Sequence, residues 1–515
     1  MSRAGTAELA TTVAVRPAAT ARTRRPTPIL RRIAHRSARR LFRITVGEWA
    51  LIALVAAYTS YFTNLTLDVH HGLGTSAYDF GLYDQGIWLM SRFEAPFVTL
   101  MGRNLMGDHT SFILVVLVPF YWLFPSAGVL FFFQSLAIGC GAIPVFLLAR
   151  KLLKNEALAL VMAATYLVHP AVGWTNRENF HPDAFIAPFL GFAIYAAIER
   201  KWRMYLVFVV LALLVKEDAS LVLIPLGIWV TLKRDRRIGL LTVAGSLAFM
   251  LFAMFVVMRS LIGVPTRNAW RIPFGGPSGF LKAVVSQPQN VVRHYWRDNR
   301  PFYLWQMTFP YLWVFAAAPS VALISLVVLA ANTLSTFWYQ YQIEYHYALV
   351  AVPALATGTV WALSKIRAPW RYVALAGVAC SSLWSAWAWG AMPFSREPPY
   401  YWAPQHPVAV DAREIIRDIP GDAVVSAQYS VTAHLNHRKE IYMFPTPFAA
   451  SLYGPDDSLG GLRLTAAERV EYVVLPAMMP LDQQAVWDRV AHEFTQIQSN
   501  QWWRLYKRAE QLPGA

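Results

Sequence analysis

Charge is what this sequence has least of: Asp, Glu, Lys and Arg make up 15% of 515 residues, against 56% hydrophobic residues and a mean hydropathy of +0.36. A soluble domain needs more charge than that to cover its surface, so the chain reads as a membrane protein. Cysteine is nearly absent. Cys140 and Cys380 both lie inside apolar runs, which excludes a Cys-based zinc site and a disulfide framework. No Walker or dinucleotide glycine motif occurs and no internal repeat is visible, which argues against ATP-driven transport within the chain. Acidic residues are almost missing from the start of the chain, where eleven Arg face the single Glu8 between Met1 and Val46. Much of the net charge of +16 therefore sits in one tail, which points to membrane topology rather than to nucleic acid. Residues 1–46 read as a disordered basic cytoplasmic tail, too long for the basic region of a cleavable signal. Arg31 to Arg43 could also meet anionic headgroups, at roughly 1 kcal/mol per residue.

What is abundant is apolar sequence and aromatic rings, with 20 Trp and 23 Tyr suited to membrane–water boundaries. Gly47 to Thr66 is long enough for one crossing. Basic turns at Arg150 to Lys154, Arg200 to Arg203, Lys233 to Arg237 and Lys365 to Arg367 mark cytoplasmic ends. Met204 to Leu232 has basic flanks at both ends, so it must turn at Lys216-Glu217-Asp218; Pro301 to Phe337 divides similarly around Ala318-Pro319-Ser320. About eleven crossings follow for 47–391, with long outer loops at 67–111 and 259–300. Phe112 to Phe124 is too short to cross and reads as an interfacial or re-entrant piece. From Met392 the membrane pattern stops. Ala423 to Ala427, Glu440 to Phe444, Glu471 to Leu475 and Trp502 to Tyr506 read as strands, and Leu481 to Glu493 as a helix. The fold class is thus mainly α, a polytopic bundle with a small C-terminal α/β domain, 392–515. The N-terminus is expected inside and the C-terminus outside.

Chemistry concentrates in the polar segments assigned to the outer face. Tyr78-Asp79-Phe80-Gly81-Leu82-Tyr83-Asp84-Gln85 embeds two carboxylates in aromatic residues, where desolvation favours a general base. Their five-residue spacing places them roughly 140° apart on a helix, so they need not share a face. Lys216, Glu217 and Asp218 interrupt an apolar run at roughly 2.5 to 3.5 kcal/mol per charge. The lysine suits a lipid phosphate, and either carboxylate suits charge balance or metal binding. Asp108, His109, Glu178, His181, Asp183 and His346 form a His/carboxylate inventory able to hold a divalent ion, although no pair has the i, i+4 His spacing of a helical zinc motif. Tyr345-His346-Tyr347 also reads as an interfacial belt. Arg267, Arg271, Arg293, Arg297 and Arg300 place positive charge on the side where topology does not favour it, which asks for an anionic partner.

The run from Tyr78 to Gln85, followed by Asp108-His109, Pro119-Phe120-Tyr121, Gln134, Asn179-Phe180-His181-Pro182-Asp183, Lys216-Glu217-Asp218 and Tyr345-His346-Tyr347, resembles the bacterial membrane family called domain of unknown function 2079. Val425-Ser426, His434 to Arg438 and Tyr442 to Pro445 extend the likeness into the tail. That family is similar to a branch of the GT-C superfamily, integral membrane glycosyltransferases that use polyprenyl-phosphate sugars. The resemblance implies a multi-pass protein of the bacterial plasma membrane and cell envelope. It further implies inverting transfer of a hexosyl or pentosyl group to an extracytoplasmic glycan, lipid or protein acceptor. Asp79 matches the catalytic base, with Asp84 as alternative; the motif is not the adjacent acidic pair of many such enzymes. Lys216, Arg267 and Arg271 would hold the phosphate, with Tyr78, Gln85, Asp108, His109, Glu178, His181, Asp183, Glu217, Asp218 and His346 lining the site. His434, His437 and Arg438, expected to be exposed, would meet the acceptor. The competing reading is a transporter or flippase of a lipid-linked or anionic solute.

Overall fold

In a bilayer every backbone polar group must be satisfied within the chain, which leaves the apolar runs of this sequence little choice but helix. The computed structural model describes residues 44–396, 402–454 and 457–509. The basic tail, including Arg31 to Arg43, lies outside the described residues up to 43. Residues 50–515 form one compact unit.

Among the described residues four helices are long and apolar enough to cross a membrane: α1 (Val46–His71), α3 (Ala127–Leu153), α8 (Arg236–Ile262) and α9 (His346–Leu363). A fifth results if α4 (Glu156–Leu167) and α5 (Pro170–Arg177), bent by 49°, count as one span. The eleven crossings expected from the sequence are therefore not present as eleven long helices. Much of the bundle is built from shorter pieces such as α6 (Trp202–Leu213) and α7 (Ser220–Lys233). The break between α6 and α7 falls where Lys216 to Asp218 required it, in a short 3-10 turn. Helix α8 keeps only 17% of its apolar window buried, so most of its side-chain surface is left for lipid. Helix α9, by contrast, is 83% buried and runs through the core.

The segment 67–111 is not a loop. Helix α1 continues to His71, and a further helix, α2 (Asp79–Ser91), follows it, then a two-residue hairpin of β1 (Phe97–Val98) and β2 (Arg103–Asn104). The segment folds because Phe80, Leu82, Tyr83 and Ile87 have apolar partners: they share a core with Val425, Ala427, Val431, Ile441 and Leu505 of the C-terminal part. Residues 259–300 likewise contain helices, Pro277–Ser286 and Pro288–Tyr295.

The C-terminal sheet has the order β4-β3-β5-β7-β6, with β3 (Val425–Ala427), β4 (Ile441–Met443), β5 (Tyr472–Pro476), β6 (Phe494–Ser499) and β7 (Trp503–Arg508). β3 pairs in parallel with β4 and β5, and β7 lies antiparallel between β5 and β6. Each expected strand segment contains a strand. β6 was missed because its side chains are mostly exposed and polar, the pattern of a sheet edge, and helix Pro407–Ile415 was not foreseen either.

Candidate functional site

Helix α2 sends its two carboxylates to different places. Ser76 Oγ accepts the Asp79 N–H (3.0 Å) and starts the helix, leaving the Asp79 side chain 34% exposed. Asp84, on another face, is buried, accepts Tyr121 Oη at 2.6 Å and pairs with His437 Nε2 at 3.1 Å. Gln85 is fully buried and donates to Thr99 and to the carbonyls of Arg438 and Lys439. These bonds tie α2 to the C-terminal sheet.

Around Asp79 the chain gathers groups from distant segments. Helix α5 ends at Arg177; Glu178 is extended and Asn179 left-handed (φ 42°), and the reversal turns Glu178 and His181 toward one another. His181 Nε2 lies 3.7 Å from Asp79 Oδ1, and its Nδ1 lies 3.6 Å from Glu178 Oε2. His346 donates its backbone N–H to the same Glu178 oxygen (3.1 Å), holds its Nδ1 3.2 Å from it, and stacks on His181 with ring centroids 3.7 Å apart. The donor atoms of Glu178, His181 and His346 all lie within 4.8 Å of one another. Tyr345 to Tyr347 is thus no interfacial belt: His346 is buried at the centre of this cluster. Burial pushes the Glu178 carboxyl up to about 8 against the pull of His181, with Asp79 adding to the rise. Burial would push His181 down, but Glu178 and Asp79 outweigh it and hold the imidazole at about 9.

A second layer supports the first. Lys216 is buried, 3.3 Å from Asp183 Oδ2, with its ammonium 5.9 Å from the Tyr347 ring. Arg271 donates to Tyr347 Oη (3.3 Å) and stacks over Phe337 at 4.3 Å, which brings the basic segment 259–300 to the cluster. Arg267 is half-buried on the same segment. Glu217 receives His109 Nδ1 (2.6 Å) and the Thr110 N–H (3.1 Å). Despite burial, His109 and Lys216 hold its carboxyl low, at about 2. Arg103 pairs with Asp108 at 2.6 Å and donates to the Tyr453 carbonyl. Asp218 is half-buried beside Glu217.

The C-terminal residues expected to be exposed are not. Arg438 is buried and donates to the carbonyls of Leu435, Pro420 and Ala423, a structural role. His434 stacks on His70 at 4.1 Å and burial pushes it down to about 4, so it is neutral near pH 7. His437 is half-buried; burial lowers it, but Asp84 outweighs that and leaves it raised. Sequence reading missed Tyr429, Ser451 and Tyr453. Tyr78 donates to the Ser451 carbonyl (3.0 Å) and packs its ring on Tyr453 and Tyr429 at 5.2 and 5.8 Å. Nothing in the tail signalled them beyond aromatic residues near Gly454.

A cavity of about 430 Å³ adjoins this cluster, lined by Val69 to Gly74 excluding His70 and His71, by Trp174 and Arg177 to Asn179, by Glu344 and Tyr345, and by Trp402 and Ser430.

Such a fold and cluster define a polytopic membrane protein with a polar, acid- and histidine-rich site where its helices meet a C-terminal sheet. The chain belongs to the family described as "Predicted membrane protein (DUF2079)", whose model matches residues 69–512. No curated protein matches it. Among solved structures, ArnT from Cupriavidus metallidurans bound to undecaprenyl phosphate matches with a TM-score of 0.55 at 13% identity, covering 92% of this chain and 100% of that one. The apo state of the same protein gives 0.54 at 13% identity, over 88% and 97%. The chain therefore has an ArnT-like fold, the architecture that the GT-C resemblance implies.

Proposed function

We propose that the protein is a GT-C-type glycosyltransferase that moves a hexosyl or pentosyl group from a polyprenyl-phosphate donor to an acceptor outside the bacterial plasma membrane. The topology that goes with this reading has residues 1–46 cytoplasmic, 47–391 in the membrane and 392–515 outside. Asp79 is the base. It takes the proton of an acceptor hydroxyl as that oxygen attacks the anomeric carbon from the face opposite the phosphate. The bond from that carbon to the phosphate oxygen breaks, configuration inverts, and polyprenyl phosphate leaves. Arg271 is the cation that meets the phosphate, and its planar fork suits that geometry. Lys216 acts through Tyr347 and Asp183, as a positioning residue. Tyr78 and Tyr453 flank the base. Asp84, Gln85, His434, His437 and Arg438 hold the C-terminal domain against α2.

Glu178, His181 and His346 offer two imidazoles and one carboxylate, a donor set that would suit a first-row divalent ion once His181 and Glu178 give up their protons. Such an ion would supply a Lewis acid beside the base.

The observation that carries this reading is that Asp79 keeps a third of its side chain accessible, while the neighbouring Glu178, Asp183 and Glu217 are 12%, 5% and 9% exposed and already partnered. That is a preorganised polar site with one reachable base. The likeness to a fold crystallised with undecaprenyl phosphate supports the donor class. The test is to incubate purified protein with a panel of polyprenyl-phosphate sugars and candidate acceptors and to follow release of free polyprenyl phosphate. Wild type is expected to release it and Asp79→Asn to fold and bind lipid without release; equal release by the variant would remove Asp79 from the role.

A further inference from the structure

The cavity beside the cluster has a composition of its own. Three of its walls are aromatic, Trp174, Tyr345 and Trp402, and between them stand Glu178, Glu344, Arg177 and Asn179. Its volume, about 430 Å³, falls in the ordinary range for small-molecule sites, roughly 300–1,000 Å³. The wall comes from both halves of the protein: Val69 to Gly74 and Trp174 to Asn179 from the helices, Trp402 and Ser430 from the C-terminal part. Two of its residues hold left-handed backbone, Leu73 at φ 63° and Asn179 at φ 42°. For leucine that region is strained, and such strain persists where the surroundings impose it. Gly72 allows the closure, since a Cβ there would run into the Trp402 carbonyl oxygen.

Chemistry selects among occupants. An acyl chain would leave two carboxylates, an amide and a guanidinium facing hydrocarbon, which is costly. A phosphate or other anion would find one cation in the lining, Arg177, set beside the acceptor oxygens of Glu178 and Glu344. A cation suits the carboxylates and rings but meets Arg177. A saccharide suits all of them: the C–H faces of its rings lie on indole and phenol rings, and its hydroxyls, donors and acceptors at once, match carboxylate, amide and guanidinium. The Glu344 carboxyl, on the cavity wall, takes a hydrogen bond from its own backbone N–H, and no side chain among the described residues donates to it, which leaves acceptor capacity for a hydroxyl donor.

The cavity is also next to the base. Asn179 Oδ1, on its wall, accepts the Ser76 N–H at 2.9 Å, and Ser76 Oγ accepts the Asp79 N–H at 3.0 Å. We propose that this cavity binds a neutral carbohydrate acceptor, so that the acceptor is a glycan rather than a lipid or a protein. This rests on the transferase reading for its purpose but not for its test.

The test is saturation-transfer NMR on the full-length protein in nanodiscs, without donor, against the di- and trisaccharides of glucose, mannose, galactose and arabinose. Ser430→Trp fills the cavity, and Trp402→Ala removes one aromatic wall; circular dichroism and polyprenyl-phosphate binding report whether each variant is intact. The expected result is transfer to at least one saccharide, lost on filling and weakened at least tenfold by Trp402→Ala, with polyprenyl-phosphate binding unchanged. No transfer to any saccharide, or transfer indifferent to Ser430→Trp, overturns the acceptor assignment. In the same experiment, saccharide binding without any polyprenyl-phosphate binding would leave the cavity assignment standing and remove the donor from the proposed function.

Discussion

Lys216 places an ammonium in the protein interior with one carboxylate, Asp183, 3.3 Å away. Removing one partner of such a pair leaves the other charge uncompensated, at about 3–5 kcal/mol, whereas replacing both with apolar residues costs far less. Lys216→Ala is expected to lose about that much stability in thermal or denaturant melts, and Lys216→Met with Asp183→Leu to recover most of it. A single variant as stable as wild type would show that the charge is not buried. His437 makes a prediction of opposite chemistry. Its pKa is raised in the folded protein because Asp84 outweighs burial, so its contribution to stability is fully present below about 6.5 and is lost as pH rises through the folded value. The gap in melting temperature between wild type and His437→Gln should therefore be widest near pH 6 and narrow toward pH 9; a gap that ignores pH would sink the pairing. At this scale the sequence was legible where local geometry decides. The five-residue spacing separated Asp79 from Asp84, and the two do occupy different environments. It was not legible where a partner lies far along the chain: Tyr78 meets Ser451 across 373 positions, and no spacing rule reaches that far.

Element boundaries followed charge more faithfully than hydropathy. The apolar stretch around Lys216 breaks where its triplet of charges demands, while the number of crossings could not be read, because many pieces are helices of about 12 residues bent against one another. Length alone identifies a crossing only when the helix is straight and isolated. The many charges of 67–111 point to a loop; tertiary burial of Phe80, Tyr83 and Ile87 outweighs that signal and makes α2. Glycines test the packing directly. A Cβ at Gly72 collides with the Trp402 backbone, whereas at Gly245, within α8, it meets nothing within 4 Å. Gly72→Ala should cost about 1–3 kcal/mol by overpacking, and Gly245→Ala should leave stability unchanged or raise it by up to about 1 kcal/mol. Equal melts for the two would mean that the Trp402 segment does not approach α1 so closely.

Across the whole molecule one hydrophobic cluster, from Leu73 to Leu505, joins the helical part to the sheet, so that ligand binding at their seam should register in global stability. If Glu178, His181 and His346 hold a divalent ion, saturating Zn²⁺ at 100 times its Kd should stabilise the protein by about 2.7 kcal/mol, reversed by a chelator and absent in His346→Ala. An unchanged melt would return those three groups to proton sharing alone. The sequence supplied all three as an inventory, yet Glu178 and His346 stand 168 positions apart and only the fold makes them neighbours. The same architecture has a consequence for biosynthesis. The floor of the 430 Å³ cavity is laid down at Val69 to Gly74, but Trp402 and Ser430 close it. A nascent chain that ends before Trp402 lacks part of the wall, and the site is complete only when Ser430 has been made and docked. A premature stop codon before Ser430 is expected to leave the cavity unclosed.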